Sequence, residues 1–137
     1  MTKQLILYVE DDSLSCEIMA MIFEDSLEYE LAIFQDSDNF MRRVDDLEKR
    51  PVLILLDIHV QPYSGFEMLD MLRSSDRYRD IPVLALTASV MNEEVSALRQ
   101  SGFNGAISKP IDQDGFAHNV KQALAGKEVW TIITHTE

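Results

Sequence analysis

A run of five aliphatic residues, 52–56, stops abruptly at Asp57 and is the most apolar stretch of the sequence. A continuous apolar run of this length suits a central strand of a parallel sheet, buried on both faces. Similar short runs lie at 5–9, 29–34, 82–86 and 105–108. Because longer segments with apolar residues at helical spacing separate these runs, the sequence predicts a doubly wound α/β domain of the form (βα)5.

Capping and helix-breaking residues predict where the five helices begin and end. The first predicted helix, 14–23, has an acidic or hydroxyl side chain available as its N-cap. Residues 64–67 form a capping box that opens the third helix. The residues that bound the predicted helices are Asp12 or Ser13, Phe40, Pro51, Ser64, Arg73, Asn92, Gly102, Asp112 and Gly126.

The last eleven residues extend beyond this pattern. We therefore predict a domain over residues 1–126 and an extension of unknown role over 127–137. Residues 129–134 have strong β propensity and include the only tryptophan, Trp130. The extension could add a strand to a sheet edge, pair with a second chain in a dimer, or lie disordered, and we favour docking or a dimer contact.

Charge and composition exclude several classes of protein. The chain has 24 acidic and 12 basic residues and a net charge of −12, which would repel the phosphates of a nucleic acid. Cys16 is the only cysteine, which excludes an internal disulfide and a cysteine-based zinc site. The apolar run at 5–9 is too short for a signal peptide, and no run reaches the length of a membrane span. We therefore expect a cytoplasmic protein.

Charged and hydroxyl side chains follow the predicted strands at the points where they end. Glu10 and Asp11 follow the first strand, Asp57 the third, Thr87 the fourth and Lys109 the fifth. In open parallel sheets, ligands bind outside the carboxyl ends of the strands. We expect these five side chains to converge there.

Carboxylates brought this close together would repel one another unless a cation lay between them. Magnesium prefers oxygen ligands and is usually held by one or two carboxylates together with a phosphate. We predict an Mg²⁺ site, or an Mn²⁺ site with the same ligands, in which Asp11 and Asp57 bind directly and Glu10 acts through water. A further oxygen would come from a main-chain carbonyl in the loop after Asp57.

A metal at this position gives the remaining groups a chemical role. The Asp57 carboxylate could attack phosphorus as a nucleophile and form an acyl phosphate. Phosphoryl transfer requires in-line positioning and neutralisation of the charge on the equatorial oxygens. Lys109 would contribute positive charge, and the Thr87 hydroxyl would bond to a phosphoryl oxygen.

Four stretches of the sequence resemble the receiver domain of two-component response regulators. These stretches are residues 6–12, 53–58, 82–88 and 107–111. The resemblance covers about residues 4–125, and the stand-alone type of receiver is the most similar in layout. It implies a flavodoxin-like, five-stranded parallel sheet with the strand order 2-1-3-4-5.

The resemblance also implies a role for each residue at a strand end. Asp57 corresponds to the phosphoacceptor, Thr87 to the switch hydroxyl and Lys109 to the lysine that contacts the phosphate. Glu10 and Asp11 correspond to the acidic pair that holds the metal.

The loop residues near the site have implied roles as well. His59 would give its main-chain carbonyl to the metal, and the side chains of His59 and Ser89 would tune dephosphorylation. The peptide bond between Lys109 and Pro110 is expected to be cis.

The sequence departs from the family pattern at two places. The loop proline comes one residue late, at Pro62 instead of position 61, so we expect an altered loop path around an intact site. The aromatic switch position on the fifth strand corresponds to Ala106. A rotating aromatic ring coupled to Thr87 is therefore not available from this strand, and we expect the nearby Phe103 to be a core residue.

The leading hypothesis is a phosphorylation-controlled binding module rather than an enzyme. A histidine kinase or a histidine phosphotransfer protein would donate the phosphoryl group, and a downstream protein would bind the fourth helix, fifth strand and fifth helix. By resemblance, the residues for docking the donor are Leu14, Ser15, Ile18 and Pro110.

Three other hypotheses are a phosphatase with an aspartyl nucleophile, a flavodoxin-like electron carrier, and an adaptor that works without phosphorylation. The phosphatase would commonly need a second acid at position 59, where the sequence has His59. The acidic residues after the first strand would repel a flavin phosphate.

Overall fold

The computed structural model describes residues 3–26, 28–88 and 92–131 of the chain. Its strands are β1 Leu5–Val9, β2 Glu30–Phe34, β3 Leu53–Asp57, β4 Val83–Thr87, β5 Gly105–Ser108 and β6 Val129–Thr131. Its helices are α1 Ser13–Ser26, α2 Phe40–Asp45, α3 Gly65–Arg73, α4 Asn92–Ser101 and α5 Gln113–Leu124. Strands and helices alternate as predicted. Within the part of the chain that is described, no helix combines the length and apolarity needed to cross a bilayer.

All neighbouring strands in the sheet are parallel, and their order is β2-β1-β3-β4-β5-β6. The first five strands have the predicted order, which confirms the flavodoxin-like α/β fold. The reversal of strand order lies between β1 and β3, so the carboxyl ends of these two strands border the crevice where such sheets bind ligands.

Two apolar layers cover the sheet, one on each face. Helices α1 and α5 pack on one face around Tyr8, Leu55 and Phe116, and helices α2, α3 and α4 pack on the other around Ile54, Leu56 and Met68. All residues of β3 are buried. The continuous apolar run before Asp57 is thus explained by a strand that contacts a helix layer on both sides.

Most of the predicted helix ends are found where the sequence placed them. Asp12 caps α1 by accepting a bond from the Ser15 amide at 2.9 Å. The capping box of α3 is formed by Ser64 and Glu67. The second helix ends earlier than predicted, at Asp45 instead of near Pro51, because the chain tightens into a turn in which the Leu47 amide bonds to the Val44 carbonyl.

The sheet has a sixth strand, where five were predicted. The extension contributes β6, which runs parallel to β5 and pairs Gly105 with Val129. The approach is close: a Cβ atom on Gly105 would lie 1.8 Å from the Val129 carbonyl oxygen. Only glycine leaves room for this pairing, so the residue at the start of β5 is the one that allows β6 to pair there. Residues 129–131 thus form an added edge strand, which is one of the three possibilities given for the extension.

Candidate functional site

Three carboxylates meet at the carboxyl edge of the sheet. Glu10 and Asp11 follow β1, Asp57 ends β3, and one oxygen from each lies within 4.8 Å of the others. Glu10 and Asp57 are buried, whereas Asp11 is exposed. Such a set of hard oxygen donors, open to solvent on one side, fits Mg²⁺ or Mn²⁺, which keep several water ligands.

The ammonium group of Lys109 completes the site. Lys109 follows β5, and its Nζ atom lies 2.6 Å from Oε1 of Glu10 and 3.6 Å from Oδ2 of Asp57. Partial burial alone would lower the pKa of Lys109, but the two carboxylates outweigh burial and raise that pKa. Lys109 is therefore a fixed positive charge beside the candidate nucleophile.

The two buried carboxylates differ in their electrostatics. Burial, supplemented by the hydrogen bond and the charge of Glu10, raises the pKa of Asp57 from 3.8 to about 6. Burial also acts to raise the pKa of Glu10, but hydrogen bonds with Asp57, Lys109 and Tyr8 reverse the shift and lower that pKa. Without a metal, Asp57 is therefore the member of the pair that takes up a proton first as the pH falls toward 6.

Thr87 ends the strand next to β3, and His59 contacts the Asp57 carboxylate. Thr87 is buried at the end of β4, and its carbonyl accepts a hydrogen bond from the Lys109 amide at 2.9 Å. The amide of His59 donates to Oδ1 of Asp57 at 3.3 Å, and its side chain is exposed. Ser89, the other residue predicted to tune dephosphorylation, lies outside the described residues.

Comparison with known proteins decides the family. Residues 6–121 match the response regulator receiver domain. The chain belongs to this family. The predicted resemblance is confirmed, and the protein is a signalling domain of two-component systems.

Individual relatives agree with this assignment. The receiver is 35% identical over 120 residues to the polar-differentiation response regulator DivK of Brucella anthropi, covering 87% of this chain and 94% of the relative. The bacteriophytochrome response regulator RtBRR is 29% identical, with a TM-score of 0.75. The match covers 99% of this chain and 84% of the RtBRR chain. The chemotaxis response regulator CheY4 of Vibrio cholerae is 20% identical, with a TM-score of 0.79. The match covers 89% of this chain and 99% of the CheY4 chain, and it shows the shared fold.

Tyr8 is a residue of the receiver's site that sequence reasoning missed. Its fully buried hydroxyl donates to Oε1 of Glu10 at 2.7 Å, so the same oxygen accepts from Tyr8 and Lys109. The signal was present in the sequence: residues two apart along a strand face the same side, and Tyr8 stands two before Glu10. Tyr8 holds the orientation of Glu10 within the acidic cluster.

Ser37 was also missed, and it fixes the loop that follows β3. The hydroxyl of Ser37 accepts from the Tyr63 amide at 2.6 Å and donates to the Tyr63 carbonyl at 2.7 Å. The peptide bonds before Pro62 and Pro110 are both cis, the second as expected from the resemblance. The contact between Ser37 and Tyr63 ties the loop after β3 to the segment just before α2. No local sequence pattern predicts a contact between residues so far apart.

The four residues predicted for donor docking lie together. Leu14, Ser15, Ile18 and Pro110 line one groove, of about 300 Å³, which also includes Lys109. Leu14 is 63% exposed and Ile18 is 39% exposed. Apolar side chains this exposed beside a charged site are suited to a protein contact.

Proposed function

We propose that this receiver accepts a phosphoryl group on Asp57 from a phosphohistidine donor, in a reaction that depends on Mg²⁺. We propose further that it signals through phosphorylation-dependent binding of a downstream protein. The observation that carries the proposal is the meeting of three carboxylates within 4.8 Å of one another, with the Lys109 ammonium 3.6 Å from Asp57. We also propose that the protein acts in the cytoplasm.

Each residue of the site has a step in the proposed reaction. An oxygen of Asp57 forms a bond to phosphorus as the N–P bond of the phosphohistidine breaks, and the electron pair of that bond returns to the imidazole. Lys109 stabilises the negative charge of the transferred group, and the Thr87 hydroxyl bonds to one of its oxygens.

Glu10, Asp11, Asp57 and the main-chain carbonyl of His59 would hold the metal. Bound magnesium supplies neutralisation of charge on the phosphoryl oxygens. The chain's own contribution is to keep the carboxylates oriented: the Glu10 side chain is held by Tyr8 and Lys109, so the acidic cluster is preorganised.

Incubation with acetyl phosphate and Mg²⁺ tests the proposal. We expect one phosphoryl group per chain, located on Asp57 by mass spectrometry, and no label when the metal is removed with EDTA. Sustained hydrolysis of many phosphomonoesters without a stoichiometric label would instead support the phosphatase hypothesis and overturn ours.

Magnesium affinity should fall in acid because the proton on Asp57 competes with the metal. With the pKa of Asp57 raised to about 6 in the metal-free protein, the carboxylate is available above that pH and is lost below it. We expect the apparent affinity for Mg²⁺ to be about tenfold weaker at pH 5 than at pH 8. Calorimetric titration at the two pH values measures this difference, and equal affinities would contradict the prediction.

The apolar groove should affect transfer from a protein donor without affecting transfer from a small one. We expect Ile18→Ser to slow phosphotransfer from a phosphohistidine protein by about tenfold, since buried apolar contacts dominate interfaces. Labelling by acetyl phosphate should be unchanged.

Met21 offers a matched control for this variant. It is 60% exposed on the same helix but does not line the groove, so Met21→Ser should transfer at the wild-type rate. Equal slowing in both variants would show that the effect does not come from the groove.

A further inference from the structure

An aromatic side chain of the extension contacts α4. The guanidinium carbon of Arg99, on α4, lies 4.3 Å from the centre of a Trp130 ring on β6. The indole N–H donates to Oε1 of Glu128 at 2.7 Å. A cation at this distance over an indole face is attracted by the negative charge of the ring face. The contact joins a helix and an edge strand that are far apart in the sequence.

The neighbouring strand leaves space for this indole. Ala106 of β5 pairs with Trp130 of β6, and both belong to the apolar layer that includes Leu98 and Phe103. Gly105 allows the two backbones to approach closely, as described above. The small residues of β5 and the large residue of β6 are therefore complementary, and an aromatic ring is present beside Ala106 although β5 has none.

Helix α4 is only partly buried against the body of the domain. Among the side chains described for this helix, Leu98 is the one that is fully buried, and the side chains at 94 and 95 are half-buried. The Arg99–Trp130 contact is one of the interactions that hold α4 at the edge of the sheet. The helix begins at Asn92, which is five residues after Thr87 of the candidate site in the sequence.

We propose that the contact between Arg99 and Trp130 is a latch that holds α4 in its unphosphorylated position and opens when Asp57 is phosphorylated. The inference rests on the proposed function. The Thr87 hydroxyl moves toward the phosphoryl group and draws α4 with it, whereas Trp130 stays with β6, which is hydrogen-bonded to β5. The C-terminal strand thereby senses the state of the site.

Thermodynamic linkage makes the latch measurable at the site itself. A contact that exists in only one of two states favours that state, and removing it must favour the other state by the same factor. For an exposed cation–π contact this factor is about two- to fivefold. Removing the Arg99 cation should therefore tighten binding of an acyl phosphate analogue at Asp57, although Arg99 is not part of the site.

Beryllium fluoride with Mg²⁺ is a suitable probe because it mimics a phosphoryl group on aspartate. Its occupancy can be followed by ¹⁹F NMR, and the latch by the fluorescence of Trp130, the only tryptophan in the chain. In the wild-type protein we expect beryllium fluoride to shift the emission to longer wavelength as the indole becomes exposed. In Arg99→Gln we expect a smaller emission change and about two- to fivefold tighter binding.

Arg79→Gln is the matched control, since Arg79 is also an exposed arginine and its side chain pairs with Asp76, away from Trp130. It should behave as wild type in both measurements. Binding of beryllium fluoride with an unchanged Trp130 emission would refute the latch and leave the proposed function standing. An unchanged affinity in Arg99→Gln would also refute the latch. Failure of the wild-type protein to bind beryllium fluoride would refute the proposed function and the latch together.

Discussion

Asp57→Asn is expected to abolish phosphoryl uptake completely. The amide cannot act as a nucleophile toward phosphorus, and the neighbouring buried carboxylate, Glu10, is already bonded to Tyr8 and Lys109. Labelling by acetyl phosphate or by a phosphohistidine donor, followed by mass spectrometry, measures the loss. A label that persisted in this variant would show that Asp57 is not the acceptor.

The same variant should be more stable than the wild-type protein, which separates loss of chemistry from loss of fold. The pKa of Asp57 is raised from 3.8 to about 6 in the folded protein, so its ionised form destabilises the fold above pH 6, and this effect disappears as pH falls below 4. Asparagine cannot ionise. In EDTA at pH 8 we expect a gain of roughly 1–3 kcal/mol in the free energy of unfolding. Urea denaturation should show this gain shrinking as the pH is lowered to 5.

Asp11→Asn is expected to reduce Mg²⁺-dependent labelling by about 100-fold, since the metal contributes several kcal/mol to stabilising the transferred charge. Asp11 is exposed and is one of the three carboxylates of the cluster. The rate of labelling at a fixed Mg²⁺ concentration measures the effect, and higher Mg²⁺ should restore part of it.

The adjacent residue provides the control. Asp12 caps α1 through its bond to the Ser15 amide, and asparagine caps helices equally well. Asp12→Asn should therefore retain both the fold and the rate of labelling. If Asp11→Asn and Asp12→Asn lost activity equally, the metal ligand would not be specific to residue 11.

The fold and the acidic cluster were accessible from the sequence because both depend on local patterns. The run before Asp57 could only be a doubly buried strand, and parallel strands bring their carboxyl ends to one edge. That rule alone places residues 10, 11, 57 and 109 together, without knowledge of any side-chain orientation. The prediction of magnesium followed from the oxygen donors.

The parts that were missed depend on contacts between distant segments. The position of β6 is determined by the missing side chain of Gly105, which has meaning only once the two strands are side by side. Ser37 bonds to Tyr63, a residue of a different loop. The early end of α2 reflects a competing turn rather than the proline that follows.

The direction of β6 determines at which edge of the sheet the described part of the chain ends. A receiver that stopped after α5 would finish at the amino edge of the sheet, because each helix returns the chain to that edge. Here β6 runs alongside β5, so Thr131 points toward the side that contains the acidic cluster. A fluorescent protein or affinity tag joined directly to Thr131 would begin at the edge that contains the acidic cluster, and a tag joined directly before β1 would begin at the opposite edge.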